Sequence, residues 1–407
     1  MTKLGLVLLT VGVAIAALSA AAANARHESK SVVVIGQIAP AGGPLVNVPE
    51  VQAALKAWVR AVDKRGGLNG HPVRYEYCND KNDANLALIC ARQMVSDNAV
   101  AVQTGSLIGE SGVVPVLEAA GIPVLDGQPQ SSTAYNSPDV YLLDAGGVTI
   151  ESTAIGVAVH KFGKPSVIYA VDVPPGHANQ PVFADIINQA GGSVTSTVYI
   201  PPTTADYGPS IQAGARGNPT VAALLLAHTA QITAVTAGEQ QNLGVKAYVV
   251  NALSPLELKG LGSAAAKVVM ASAYKPIGVL LAEHNALGLR YDKDMLAELK
   301  TGDSDANPDS TGSSAFSTYL AGYAIEQLTK HMTTITAATL KKALDSAKNI
   351  NMGGVMAPWT PSANAGLPGK PRISNLQAWI FGFNAKAVPH LLVKVPLTPY
   401  EAAHGHY

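Results

Sequence analysis

The residue types that do chemistry are all present in this chain, but few of them stand at working spacings. Gly260-Leu261-Gly262-Ser263-Ala264-Ala265 has the glycine pattern of a dinucleotide-binding turn. It follows Glu257-Leu258-Lys259 and not a β-branched strand, so it reads as a loop entering a short helix. Asp303-Ser304-Asp305-Ala306-Asn307 begins like a calcium loop. Its sixth position is Pro308, where glycine must turn the chain, and its twelfth is Ser314, where a bidentate glutamate belongs, so a solvated acidic turn is expected instead. No phosphate-cradling Gly-x-x-x-x-Gly-Lys, no His-Glu-x-x-His and no Gly-x-Ser-x-Gly occurs. His404 and His406 sit in a glycine-punctuated terminal stretch, where disorder is expected in preference to a metal site. No catalytic residue, metal or cofactor can be assigned from these patterns, and a protein that is not an enzyme is expected.

The N-terminus suggests where the chain works. Lys3 precedes an almost unbroken apolar run from Leu4 to Ala23, and Ala23-Asn24-Ala25 offers a small-x-small cleavage site before a polar stretch. That is the anatomy of a secretory signal peptide over residues 1–25, and an uncleaved N-terminal anchor is the alternative. Export makes Cys78 and Cys90 a candidate disulfide, since an even pair in an oxidising compartment favours a bridge over two free thiols; two ligands without a histidine pair make a poor metal site. Lys and Arg, 28 together, balance 28 Asp and Glu, which removes any electrostatic reason to expect nucleic acid or an anionic membrane as partner.

The elements that must position a site come next. At 407 residues the chain exceeds one ordinary core, so two lobes are expected. Ser31–Gly36 reads as a buried strand, and Pro49 and Glu50 open a helix whose apolar stripe is Val51, Leu55, Trp58 and Val62. Strands follow at Val73–Tyr77, Ala99–Val102 and Ile122–Leu125, with helices between them, one capped by Asp83 and another over Val113–Ala120. The alternation restarts at Ser166–Val171 and continues through strands at Val194–Ile200, Val221–Leu226 and Lys246–Val250. From about Gly278 it weakens, with helices expected near Phe316–Lys330 and Ala337–Ala347. Strict alternation implies parallel, doubly wound sheets, hence an α/β fold of two Rossmann-like lobes. Open parallel sheets bind ligands beyond the carboxyl ends of their strands. The loops after Ile35, Val102, Leu125, Val171, Leu226 and Val250 are therefore the ones to line a cleft.

Those loops resemble a known family. Val34-Ile35-Gly36 with the helix end Asp63-Lys64-Arg65-Gly66-Gly67-Leu68-Asn69-Gly70-His71-Pro72-Val73 is similar to the opening of type I periplasmic solute-binding proteins, in particular the leucine/isoleucine/valine-binding group that serves ABC importers. Cys78-Asn79-Asp80 with Asp83, Cys90-Ala91-Arg92, the run Pro115–Val124, and Gly322-Tyr323-Ala324 extend the resemblance over nearly the whole mature chain. The resemblance implies a Venus-flytrap fold with hinge closure, no chemistry, no cofactor, handover of a small molecule to an ABC permease in the membrane, and a monomer. It implies a first lobe of residues 31–147 plus 272–350, a second of 148–271 plus 351–395, and a tail over 396–407. Amino-acid-binding members carry hydroxyl residues after the third and fourth strands. Here those loops are Gly105-Ser106-Leu107-Ile108-Gly109 and Gly127-Gln128-Pro129-Gln130, which suit a zwitterion less well.

The candidate ligand contacts are thus Ser106, Leu107, Ile108, Gln128, Gln130, Asp172, His228, Thr229 and Asn251. His228 is either a charge partner for a carboxylate or a neutral loop histidine. Gln128, Gln130 and Asn251 are either contacts or satisfied loop amides, and Asp172 either pairs with a ligand amine or caps the next turn. The expected function is the extracytoplasmic binding component of an importer for an amino acid or related carboxylate. The rival readings are a sensing module of the same fold and, more remotely, a secreted α/β enzyme.

Overall fold

The computed structural model describes residues 30–42, 46–105, 109–126, 129, 131–308 and 313–407. The N-terminal segment with its expected signal peptide, and five candidate contacts, Ser106, Leu107, Ile108, Gln128 and Gln130, lie outside the described residues.

Strand and helix alternate from the start: β1 (Val33–Ile38), α1 (Pro49–Lys64), β2 (Val73–Cys78), α2 (Ala84–Ser96), β3 (Ala101–Thr104), α3 (Glu110–Ala119), β4 (Val124–Asp126), α4 (Ser132–Asn136) and β5 (Val140–Leu142). The five strands run parallel in the order β2-β1-β3-β4-β5. Every residue of β1 is buried, as a parallel strand covered on both faces requires. Gly36 allows α2 to lie close, because a Cβ there would meet Met94 Sδ at 2.5 Å. α1 lacks a side-chain cap and is started by Pro49; its stripe Val51, Leu55, Trp58 and Val62 is buried as expected. Asp83 caps α2, its Oδ1 accepting from the amides of Asn85 and Leu86. Cys90 of α2 is bonded to Cys78 at the end of β2, with Cα atoms 5.5 Å apart.

The pattern repeats in α5 (Gly147–Phe162), β6 (Pro165–Val171), α6 (Pro174–Gln189), β7 (Ser193–Ile200), α7 (Gly208–Gly214), β8 (Val221–Leu225), α8 (His228–Gln240), β9 (Ala247–Val249), α9 (Pro255–Gly260) and β10 (Val268–Ser272). The chain returns to the first lobe for α10 (Ile277–Ala282), α11 (Ala286–Leu299), α12 (Ser313–Thr329) and α13 (Ala337–Ser346). It ends on the second with β11 (Trp379–Phe383), β12 (Pro389–Leu391) and α14 (Pro399–Ala403). The second sheet has the order β12-β11-β10-β9-β8-β6-β7. Its five parallel strands therefore repeat the winding of the first sheet, with β11 and β12 added antiparallel at one edge. Helix α5 gave no helical period in the sequence because Ile150–Val159 is buried at every position.

One core fills the first lobe, and two clusters cover the two faces of the second sheet. Met352, Val355, Trp359, Ile373 and Ala378 belong to the first core. Trp359 anchors this segment, its Nε1 donating to the Leu142 carbonyl at 3.0 Å and to Ser374 Oγ at 3.1 Å. The stretch 351–378, expected in the second lobe, thus packs with the first; it has no regular element to show in sequence where the chain turns back. The terminal stretch is also corrected, from disordered tail to packed helix. Thr398 and Glu401 form a reciprocal capping box. Ala402 and Ala403 are buried against α5, where a Cβ on Gly156 would stand 3.0 Å from the Ala402–Ala403 backbone. His160 Nε2 lies 2.9 Å from the Ala403 carbonyl oxygen. The calcium-like turn is a single 3₁₀ turn, Ser304–Ala306, and Asp303 is ion-paired with Lys56 of α1 at 2.9 Å instead of being solvated. Gly260-Leu261-Gly262 joins α9 to another 3₁₀ turn, with no strand before it.

Candidate ligand cleft

In both lobes the helices follow the strands they are wound on, so α1, α3, α6, α8 and α9 start near the carboxyl ends of β1, β3, β6, β8 and β9. Helix N-termini carry unpaired amides and positive partial charge, which favours an anion at these edges. Three segments join the lobes: from β5 into α5, from β10 toward α10, and from Ile373 into β11. The first holds Asp144, whose Oδ1 accepts from the Gly146 amide at 2.8 Å and whose carboxyl is pushed up to about 7 by burial.

The two edges meet electrostatically at Glu50 of the first lobe and His228 and Glu257 of the second. Burial pushes the Glu50 carboxyl up to about 7; its own backbone amide and His228 oppose the rise, and Glu257 and Asp305 add to it. His228 Nε2 and Glu257 Oε2 are 2.8 Å apart. Glu257 is fixed by a capping box in which its Oε2 accepts from the Ser254 amide and hydroxyl at 2.8 and 2.7 Å. Burial raises the Glu257 carboxyl, but the bonds from His228 and Ser254 outweigh it and hold it below its ordinary value. The bond to Glu257 holds His228 above its ordinary value against its own burial.

Asn251 is tied into the second lobe. Its Nδ2 donates to Glu151 Oε2 at 3.0 Å, and its backbone amide donates to Gln231 Oε1 at 3.2 Å. Gln231 is fully buried and also donates to the Leu224 and Leu226 carbonyls at the end of β8. Glu151, in α5, is pushed up to about 8 by burial, with the Asn251 bond opposing. Asp172 Oδ1 is 2.8 Å from His177 Nε2, and the His177 ring stacks on Tyr199 with centroids 4.0 Å apart. Its side chain therefore engages a histidine in the first turn of α6 and caps no backbone amide there. Thr229 is exposed and accepts Thr233 Oγ1 on its carbonyl at 3.1 Å.

Glu50, Glu151, Gln231 and Glu257 were absent from the sequence candidates, as were Gln103, Thr104 and Ser317. Both polar atoms of Gln103 and Thr104 Oγ1 are buried and take no hydrogen bond from the described residues. Gln103, Thr104 and Ser317 line a cavity of about 10 Å³ with Gly105, at the end of β3. The only signal for Gln103 and Thr104 was their place at the end of a buried strand; Ser317, in α12, gave none. Among the described residues no group of three His, Cys, Asp or Glu side chains is arranged to hold a metal ion, and no helix is long and apolar enough to cross a membrane.

The profile of a family described as "Periplasmic binding protein" matches residues 32–371. None of the curated proteins matches. Many solved structures share the fold. A substrate-binding periplasmic protein from Ralstonia solanacearum is 14% identical with a TM-score of 0.71, covering 88% of this chain and 99% of the other. A possible leucine/isoleucine/valine-binding protein from Rhodopirellula baltica is 12% identical with a TM-score of 0.71, covering 90% and 97%. An ABC-transporter solute-binding protein from R. palustris, solved in complex with 4-hydroxybenzoate, is 17% identical with a TM-score of 0.69, also covering 90% and 97%.

Proposed function

The chain belongs to the periplasmic binding protein family, and from that premise we propose that it is the exported binding component of an ABC importer, capturing a small organic carboxylate between its lobes and presenting it to a membrane permease. The observation that carries the ligand class is the junction of the two edges: His228, raised above its ordinary value by its bond to Glu257, shares an electrostatic field with Glu50 among helix N-termini. A ligand carboxylate gains from His228 when it is protonated and from the helix dipoles, and below about pH 7 the Glu50 carboxyl carries a proton to donate. The relative solved with 4-hydroxybenzoate supports a carboxylate without an α-amino group. Glu50 favours a second reading, an amino acid, because once ionised it offers an anion to an ammonium group.

A thermal-shift screen separates the two. The panel sets 4-hydroxybenzoate and short aliphatic carboxylates beside branched-chain and polar amino acids. Stabilisation by carboxylates, lost in His228→Gln, supports the first reading. Stabilisation by amino acids alone, lost in Glu50→Gln and kept in His228→Gln, refutes it in favour of the second.

A further inference from the structure

A cavity of about 340 Å³ lies between the lobes along the middle of the three joining segments, within the size range of small-molecule pockets. Met270, Phe381 and Phe383 line it from the second lobe, and Ile277 and Phe316 from the first. The aromatic walls are braced, Phe381 against Phe383 edge to face at 5.7 Å and Tyr274 against Phe316 at 5.4 Å. This cavity adjoins the junction of His228, Glu257 and Glu50 from both sides. In the second lobe its wall includes Leu253 and Pro255, which flank the cap residue Ser254, and Leu258, which follows Glu257. In the first, the lining residue Pro308 lies just beyond Asp305, whose charge adds to the rise of the Glu50 carboxyl.

The wall offers its occupant mostly carbon, because its polar groups are largely engaged already. The Tyr274 hydroxyl is bonded to Ser272 and Ser317. Lys275 pairs with Glu283 at 2.7 Å and lies 4.8 Å from the centre of the Trp379 ring, and Lys259 has a partner of its own. Lys386 is exposed to solvent in the turn between β11 and β12, and burial shifts the Asp292 carboxyl toward its neutral form. A charged group placed among these aromatic side chains would lose its water without replacement, whereas each methylene buried there raises affinity about fourfold. At the ~30 Å³ that a water occupies in the liquid, the cavity holds roughly eleven non-hydrogen atoms, well beyond the side chain of any aliphatic amino acid.

We propose that this cavity is the apolar subsite of the cleft: the ligand is a monocarboxylate whose head lies at His228 and whose uncharged body, a medium alkyl chain or an arylalkyl group, fills the space between Met270, Phe316, Phe381 and Phe383. The assignment rests on the carboxylate reading of the cleft and adds to it the size and polarity of the rest of the molecule. Both lobes line the cavity, so a body that fills it binds the interlobe angle at which the walls meet better than any other. A dicarboxylate of the same length is excluded, since its second charge would be buried among carbon.

Titration calorimetry of the purified protein with straight-chain carboxylates from butanoate to decanoate tests it, with octanedioate and octan-1-ol as controls. Affinity is expected to rise about fourfold per methylene, so that octanoate binds on the order of 100-fold more tightly than butanoate and at least about tenfold more tightly than either control. Ile277→Trp, which fills the cavity from a half-buried position at the start of α10, is expected to flatten this rise. Leu281→Trp makes the same test one turn further along, and thermal melts show whether each variant folds. His228→Gln is expected to weaken the whole series without flattening it. Affinity that is level across the series, greatest for butanoate, or unflattened in both tryptophan variants would overturn the subsite and leave the carboxylate reading standing. No binding by any carboxylate, or octan-1-ol as tight as octanoate, would instead refute the carboxylate reading and the subsite with it.

Discussion

Glu151→Gln should make the protein more stable at alkaline pH and nearly neutral in effect at acid pH. Glu151 is 2% exposed, and its carboxyl, ordinarily near 4.5, is pushed up to about 8 by burial. At low pH it is protonated in both the folded and unfolded chain and costs nothing. As pH rises past the unfolded value, the unfolded chain ionises while the folded one keeps its proton, and stability falls by ~1.4 kcal/mol per pH unit until the folded value is reached. Between pH 5 and pH 8 the wild type should therefore lose about 4 kcal/mol through this one group. Glutamine has nearly the same volume, does not titrate, and offers a carbonyl to the Asn251 amide that now donates to Oε2 at 3.0 Å. Asp144 and Glu50 titrate in both proteins and cancel from the difference. Urea denaturation followed by circular dichroism at the two pH values gives the comparison. The stability of the variant relative to wild type should rise by about 4 kcal/mol from the lower pH to the higher. A difference that is the same at both would show that Glu151 ionises in the folded protein as easily as in water, and the reasoning would fail.

Other expectations follow from the same geometry. Replacing Cys78 and Cys90 by serine removes a cross-link of sequence separation 12 and should cost about 3 kcal/mol on the chain-entropy model, measured by denaturation with and without reductant. Gly322→Ala places a Cβ 2.5 Å from Trp58 Cδ2 where α12 crosses α1, and should destabilise by about 1–3 kcal/mol, seen as a lower Tm. Carboxylate affinity should be greatest below pH 6.5 and fall as pH rises through the raised value of His228, with ionisation of Glu50 near pH 7 acting in the same direction. Calorimetry across that range, flattened in His228→Gln, is the check; an affinity that rises with pH would contradict the charge assignment.

Most of the fold was legible because parallel strands buried on both faces are short β-branched runs, and helices between them carry stripes and caps. The helix opened by Pro49, the cap at Asp83 and the Cys78–Cys90 bridge all followed from local chemistry. α5 did not, since a helix buried on every side shows no period. The segment 351–378 was misplaced because long-range anchors place it, Trp359 and Ser374 on the Leu142 carbonyl and Arg372 on the Val140 carbonyl, and such contacts leave no local trace. The cleft was less legible than the fold. His228 and Asn251 were visible as polar residues after strands, but their partners Glu257 and Glu151 come from other helices, 29 and 100 residues away in sequence. Asp172 was visible too, although its engagement with His177 was not.

Small-angle scattering with and without a carboxylate that calorimetry shows to bind one to one tests the central claim most directly. Closure of two lobes about the three joining segments predicts a smaller radius of gyration when ligand is bound, and no change in His228→Gln at the same ligand concentration. A bound ligand with no compaction of the wild type would contradict capture between the lobes.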